Sequence, residues 1–212
     1  MKFQKIIRSK PMTKQSEQQA QLHKQLWAIA NDLRGNMDAS EFKNYILGII
    51  FYRYLSENLE EVINKDYLVE DGITYHEAWE KEEYKRVLIE QLIENSNIGY
   101  LIEPEYLFSN MVRLIKSGKF DISVLSKAIN RLSESTIGHD SQEDFEGLFD
   151  DMDLNSNRLG RGEKERSILI SKIILKINDI DFMHDDAEID VLDYETEKEE
   201  KISVKLKIMR NG

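Results

Sequence analysis

Cysteine is absent from the 212 residues, so disulfides, thiolate metal sites and a cysteine nucleophile are excluded. Proline occurs twice, at Pro11 and Pro104, and glycine only ten times. Proline removes a backbone donor and clashes inside a helix, so this scarcity fits a mostly helical chain. No apolar run reaches the roughly 18 residues that a membrane-spanning helix needs. The N-terminal MKFQKIIRSKP is basic but lacks an apolar core and a small-residue cleavage site, so it is no secretory signal. A cytoplasmic protein with no membrane partner is expected.

What remains is 41% hydrophobic and 33% charged, which is globular but polar. The net charge of −11 is unevenly spread. Residues 1–40 carry seven Lys/Arg against three Asp/Glu, whereas 41–110 carry six against fifteen. Residues 111–140 carry five against three, 141–192 six against fourteen, and 193–212 five of each. A chain this acidic repels a phosphate backbone unless its basic groups gather on one face. The lean toward DNA is assigned to the N-terminal segment, and the acidic runs are read as solvated helix faces.

Helix starts are well marked. Ser16-Glu-Gln-Gln19 has the shape of a capping box, followed by Leu22, Leu26, Ile29, Ala30 and Leu33 at helical spacing and by Gly35 as a terminator. Asp38-Ala-Ser-Glu41 opens a second helix. Between Phe42 and Leu55, ten of fourteen residues are Phe, Tyr, Ile or Leu, which predicts a central helix buried on nearly every side. Its aromatics Phe42, Tyr45, Phe51, Tyr52 and Tyr54 are assigned to core packing rather than to a base-stacking platform. Thr74-Tyr-His-Glu77 caps a third helix carrying Trp79, Tyr84, Leu88 and Leu92.

Residues 98–103 read as extended, because the residue before Pro104 is pushed out of the helical region. A helix then carries Leu107, Met111, Leu114 and Ile115 and ends near Gly118. Asp121 starts another, with Leu125, Ile129 and Leu132 inward. A short helix over Gln142–Phe149 and a polar loop follow. The last helix, Glu163 to Ile180, turns Leu169, Ile173, Ile174 and Ile177 to one side. The tail changes period: Ile202, Val204, Leu206 and Ile208 alternate at strand spacing, in conflict with the rest of the design. The fold class is therefore all-α, a multi-helix bundle with one short extended segment and an atypical strand-like C-terminal tail.

Motifs for chemistry fail one by one. Gly160-Arg-Gly162 begins like a dinucleotide loop but lacks the third glycine and a preceding strand. Asp151, Asp153 and Asn155 copy the first ligands of a calcium loop, but Ser156 stands where the sharp turn needs glycine. A loop held by local Asx hydrogen bonds is the better account. The histidines His23, His76, His139 and His184 form no i, i+3 or i, i+4 pair, so no helix-borne zinc site arises. Asp179, Asp181, His184, Asp185, Asp186, Glu188 and Asp190 make a dense acidic patch, under-specified as a metal site. No metal and no catalytic residue is assigned.

Four blocks in order carry a family resemblance: LWAIANDLRGNMDASEFKNYILGIIFYRYLSENLE (26–60), IGYLIEPEYLF (98–108), EDFEGLFDDMDLNSNRLG (143–160) and ERSILISKIILKINDIDF (165–182). Over residues 16–192 the chain resembles the N-terminal helical domain of the modification subunit of type I restriction-modification systems. The resemblance implies an adenine-N6 DNA methyltransferase that uses S-adenosyl-L-methionine. It also implies a specificity subunit, a second modification subunit, a restriction subunit and double-stranded DNA as partners. In the family, methyl transfer belongs to a following Rossmann-like domain with a glycine-containing cofactor motif and an Asn-Pro-Pro-aromatic motif.

Neither motif occurs in these 212 residues, since Pro11 and Pro104 are not adjacent and no glycine motif follows a strand. Residues 1–15 are therefore read as a basic extension, 16–192 as the helical domain and 193–212 as a tail in place of the catalytic domain's start. An altered reading frame or a truncated gene would explain that tail. No cofactor is assigned to this chain, and it is expected to be inactive alone. The favoured function is a DNA-binding and assembly module. The alternatives are a stand-alone helical scaffold or regulator, and an enzyme built on the patch around His184. The nucleic-acid contacts are assigned to Arg34 and Lys43, which flank the turn between the first two helices, with Asn31 and Asn36.

Overall fold

The chain's densest apolar stretch becomes its central helix. In the computed structural model, residues 28–29, 39–95 and 98–180 are described. Helix α1 spans Ala39–Val62 and runs on into a π-helical turn, Ile63–Tyr67. Phe42, Tyr45, Ile46, Ile49, Phe51, Tyr52, Leu55 and Leu59 are all buried along it, while Tyr54 is half-buried. The aromatics are core, as expected. Ile29 is also helical and buried, in keeping with the helix expected over 22–33.

The remaining helices are α2 (Tyr75–Trp79), α3 (Glu82–Glu90), α4 (Phe108–Lys116), α5 (Ile122–Ser135), α6 (Gln142–Phe145) and α7 (Glu163–Asn178). No strand occurs among the described residues, and the fold is all-α. Helix α1 packs on α4 and α7, α4 packs on α7, and α5 also packs on α7. Ile170, Ile173, Ile174 and Ile177 of α7 close the core, with Leu169 only half-buried. On α4 the inward set is Phe108, Met111 and Val112 rather than one including Leu114. On α5, Leu125 and Leu132 are buried and Ile129 packs against them.

Thr74 forms the expected capping box, accepting from the Glu77 amide while its own amide donates to the Glu77 carboxylate at 2.8 Å. The helix it opens is nevertheless short. A single helix through Trp79, Tyr84, Leu88 and Leu92 was expected, but Lys81 is extended (φ −103, ψ 113) and separates α2 from α3. Residues 80–83 are all charged and exposed, so no apolar contact holds a continuous helix through them. The bend brings Lys85 over the Trp79 ring at 4.8 Å, with Trp79 edge-on to Tyr75. Likewise α6 stops at Phe145, four residues short of the expected end. Glu146 turns extended and Gly147 takes a positive φ of 68°.

Tyrosine hydroxyls tie the irregular segments to the bundle. Tyr52 donates to the Tyr106 carbonyl at 2.8 Å, holding the 3₁₀ turn Pro104–Tyr106. Tyr100 donates to the Leu55 carbonyl at 2.9 Å, and Tyr75 donates to the Ile102 carbonyl at 2.9 Å. Both bonds fix residues 98–103, which are neither helix nor strand, in agreement with the extended piece expected before Pro104. Burial raises the phenol pKa of all three, so they stay neutral donors. The N-terminal extension, the Ser16 cap, Asp38 and the tail 193–212 lie outside the described residues.

Candidate assembly and nucleic-acid interface

Of the four residues assigned to DNA, Arg34, Asn31 and Asn36 lie outside the described residues. Lys43 sits near the start of α1 and is half-buried, and desolvation lowers its pKa. Half-burial leaves less of that ammonium for a phosphate than a fully exposed lysine offers. His23 and His184 also lie outside the description, while His76 and His139 stand far apart in sequence on α2 and before α6.

The rejected motifs have structural explanations. The Asp153 carboxylate accepts from the Asn155 amide at 2.9 Å, and its carbonyl accepts from Tyr45 at 2.8 Å. That is the Asx-held loop expected in place of a calcium site. Among the described residues no group of three acidic or imidazole side chains is placed to hold a metal. Around Gly160 and Gly162 the Arg161 amide donates to the Glu165 carboxylate at 2.8 Å. The chain's own acid thus occupies a donor that a phosphate loop would need free.

Three features were missed in the sequence. The first is Arg53, buried at the α1–α7 contact. Its Nε meets Glu57 Oε1 at 2.6 Å, and one terminal nitrogen donates to the carbonyls of Ile177 (2.6 Å) and Ile180 (2.9 Å). The guanidinium also lies 5.7 Å from the Phe108 ring centroid. It caps the Ile180 carbonyl just past α7 and adds a second donor to the Ile177 carbonyl, which also accepts from the Ile180 amide at 3.1 Å. An arginine amid an apolar run was the visible signal.

The second is a polar cavity of about 310 Å³ lined by Glu60, His76, Leu107, Ser109, Asn110 and Arg113. Burial pushes the Glu60 carboxyl up, and the Ser109 hydroxyl, which donates to it at 3.1 Å, partly offsets this. The third is a neighbouring hollow of about 460 Å³ lined by Ser109, Val112, Arg113, Lys116 and Ser117. Asn110, itself buried, donates to the Glu105 carbonyl and accepts from Arg113 Nε (3.0 Å) and from a terminal Arg113 nitrogen (2.6 Å). An exposed arginine is thereby held by a buried amide. The surplus of basic residues over 111–140 is the sequence signal for this surface.

The HsdM N-terminal domain profile matches residues 22–177. The chain belongs to that family. It is 31% identical over 179 residues to the Type I restriction enzyme MpnII methylase subunit of Mycoplasma pneumoniae, covering 79% of this chain and 33% of that protein. A crystal structure of the type I restriction-modification system methyltransferase subunit from Streptococcus thermophilus superposes with a TM-score of 0.65. It is 27% identical and covers 79% of this chain and 35% of the other. The chain thus spans about a third of the length of these relatives. The HsdM assignment agrees with the resemblance read from the four sequence blocks. Among the described residues, no helix is long and apolar enough to cross a membrane.

Proposed function

We propose that this HsdM-type domain is the assembly and DNA-embracing module of a cytoplasmic type I restriction-modification complex. It docks with a specificity subunit that reads the DNA target, and with a second modification subunit; a restriction subunit joins them. Transfer of a methyl group from S-adenosyl-L-methionine to adenine N6 takes place outside residues 1–212, in a catalytic domain. Extruding and holding an adenine needs a shaped pocket with a polarising side chain. Residues 1–212 carry neither family motif for that task. The observation that carries the reading is the family match over 22–177.

Coexpression with a specificity subunit tests it. The two chains are expected to co-elute and to retain duplex DNA at low salt. Failure to co-elute would favour a stand-alone helical scaffold. The segment bearing Asn31, Arg34 and Asn36, with Lys43 beyond it, is proposed as a phosphate contact. Arg34→Ala combined with Lys43→Ala should weaken DNA retention by that complex with helicity unchanged. A binding isotherm superimposable on wild type would remove this assignment.

A further inference from the structure

We propose that Arg113, Lys116 and Lys119, at the C-terminal half of α4 and the turn after it, form a second contact for the DNA phosphate backbone. The inference rests on the proposed function and adds a surface to it. All three side chains are exposed, and no ion pair among the described residues engages any of them. Arg113 and Lys116 are three residues apart on a helix, so they share a face. Gly118, at φ 69°, closes α4 with the Lys119 amide donating to the Leu114 carbonyl at 2.9 Å. That closure brings Lys119 directly after the two helical cations.

Two observations separate this strip from ordinary charges at a helix C-terminus, which complement the helix dipole. Arg113 is pre-positioned. Asn110 takes two of its five N–H groups, leaving three for a ligand and reducing the side-chain entropy lost on binding. Arg113 and Lys116 also line a hollow of about 460 Å³. A fixed guanidinium beside an ammonium is a common partner of phosphate oxygens. Glu60 lines the adjoining cavity and accepts from the Ser109 hydroxyl at 3.1 Å, which sets a carboxylate at the Ser109 end of the hollow. An anion is therefore directed to the Lys116–Ser117 end. In a chain of net charge −11, three adjacent unpaired cations favour a polyanion.

The test uses the complex of the full chain with its specificity subunit and a labelled linear duplex of arbitrary sequence, titrated across a salt series. Each phosphate contact contributes about 0.9 to the slope of log affinity against log salt. The variant R113Q/K116Q/K119Q should flatten that slope by about 2 to 3 and still co-elute with the partner. A charge-matched control, K81Q/K164Q/K172Q, should leave the slope as in wild type. An unchanged slope in the strip variant overturns the proposal, even though the complex binds DNA. Lost co-elution would assign the strip to an acidic protein face and also overturn it. If the wild-type complex retains no DNA, the proposed function falls first.

Discussion

Arg53→Ala is expected to cost about 3 kcal/mol of stability, because it removes three hydrogen bonds of a buried, charged donor, one of them to a partly exposed carboxylate. The Glu57 side chain keeps only 30% of its exposure and would lose its 2.6 Å contact with Arg53 Nε. The carbonyls of Ile177 and Ile180 would lose the donor that reaches both. Each unpaired buried polar group costs about 1–3 kcal/mol, so the losses are large even after partial rehydration. For a domain of this size the melt should fall by roughly 6–12 °C. Arg53→Lys should recover less than half of this, since an ammonium cannot reproduce the planar fork. A double-mutant cycle with Glu57→Gln should give a coupling energy of about 1 kcal/mol or more. A melt unchanged by Arg53→Ala would mean that the bridge to α7 contributes nothing.

Arg53 also bears on assembly. The family match ends at Ile177, the first of the two carbonyls that Arg53 holds. The direction in which the chain leaves α7 is therefore set by a side chain from α1.

The helices that were legible in the sequence are those whose local chemistry and burial agree. In α1 ten apolar residues in fourteen leave no face for solvent, and all but the last aromatic are buried. Asp121 does cap α5, accepting from the Ser123 amide at 2.8 Å, and hydrogen bonds from the Ser123 hydroxyl and amide hold its carboxyl below the usual range. The break at Lys81 was illegible for the opposite reason. Glu80-Lys-Glu-Glu83 contains no proline or glycine, and only the packing of Trp79 and Tyr84 on either side favours the bend. Arg53 and Asn110 were legible only in part: Glu57 and Arg113 stand at helical spacing from them, but their other partners, the carbonyls of Ile177, Ile180 and Glu105, follow no spacing rule. No spacing rule reports a contact across 124 residues, the separation between Arg53 and Ile177.

Gly160, which stands in a glycine pair that begins like a phosphate loop, is instead a point of close approach. Its φ is +153°, and a Cβ built there would stand 2.6 Å from Glu165 Cβ and 2.9 Å from the Arg166 backbone nitrogen. Those atoms belong to the first turns of α7, whose Arg166 amide bonds the Gly162 carbonyl at 3.1 Å. Gly160→Ala must therefore move α7 or rotate the loop. Either displaces Leu159, which is buried beside it. Backbone strain of about 1–2 kcal/mol for a positive φ adds to about 1–3 kcal/mol for the overlap. Gly72 is the control: its φ is +62°, but nothing lies within 4 Å of its virtual Cβ. Gly72→Ala should lose about 1–2 kcal/mol from strain alone. Gly160→Ala should lose roughly twice that, read from the urea midpoint at constant m. Equal losses at the two positions would show that α7 can retreat freely, and that the loop does not clamp its start.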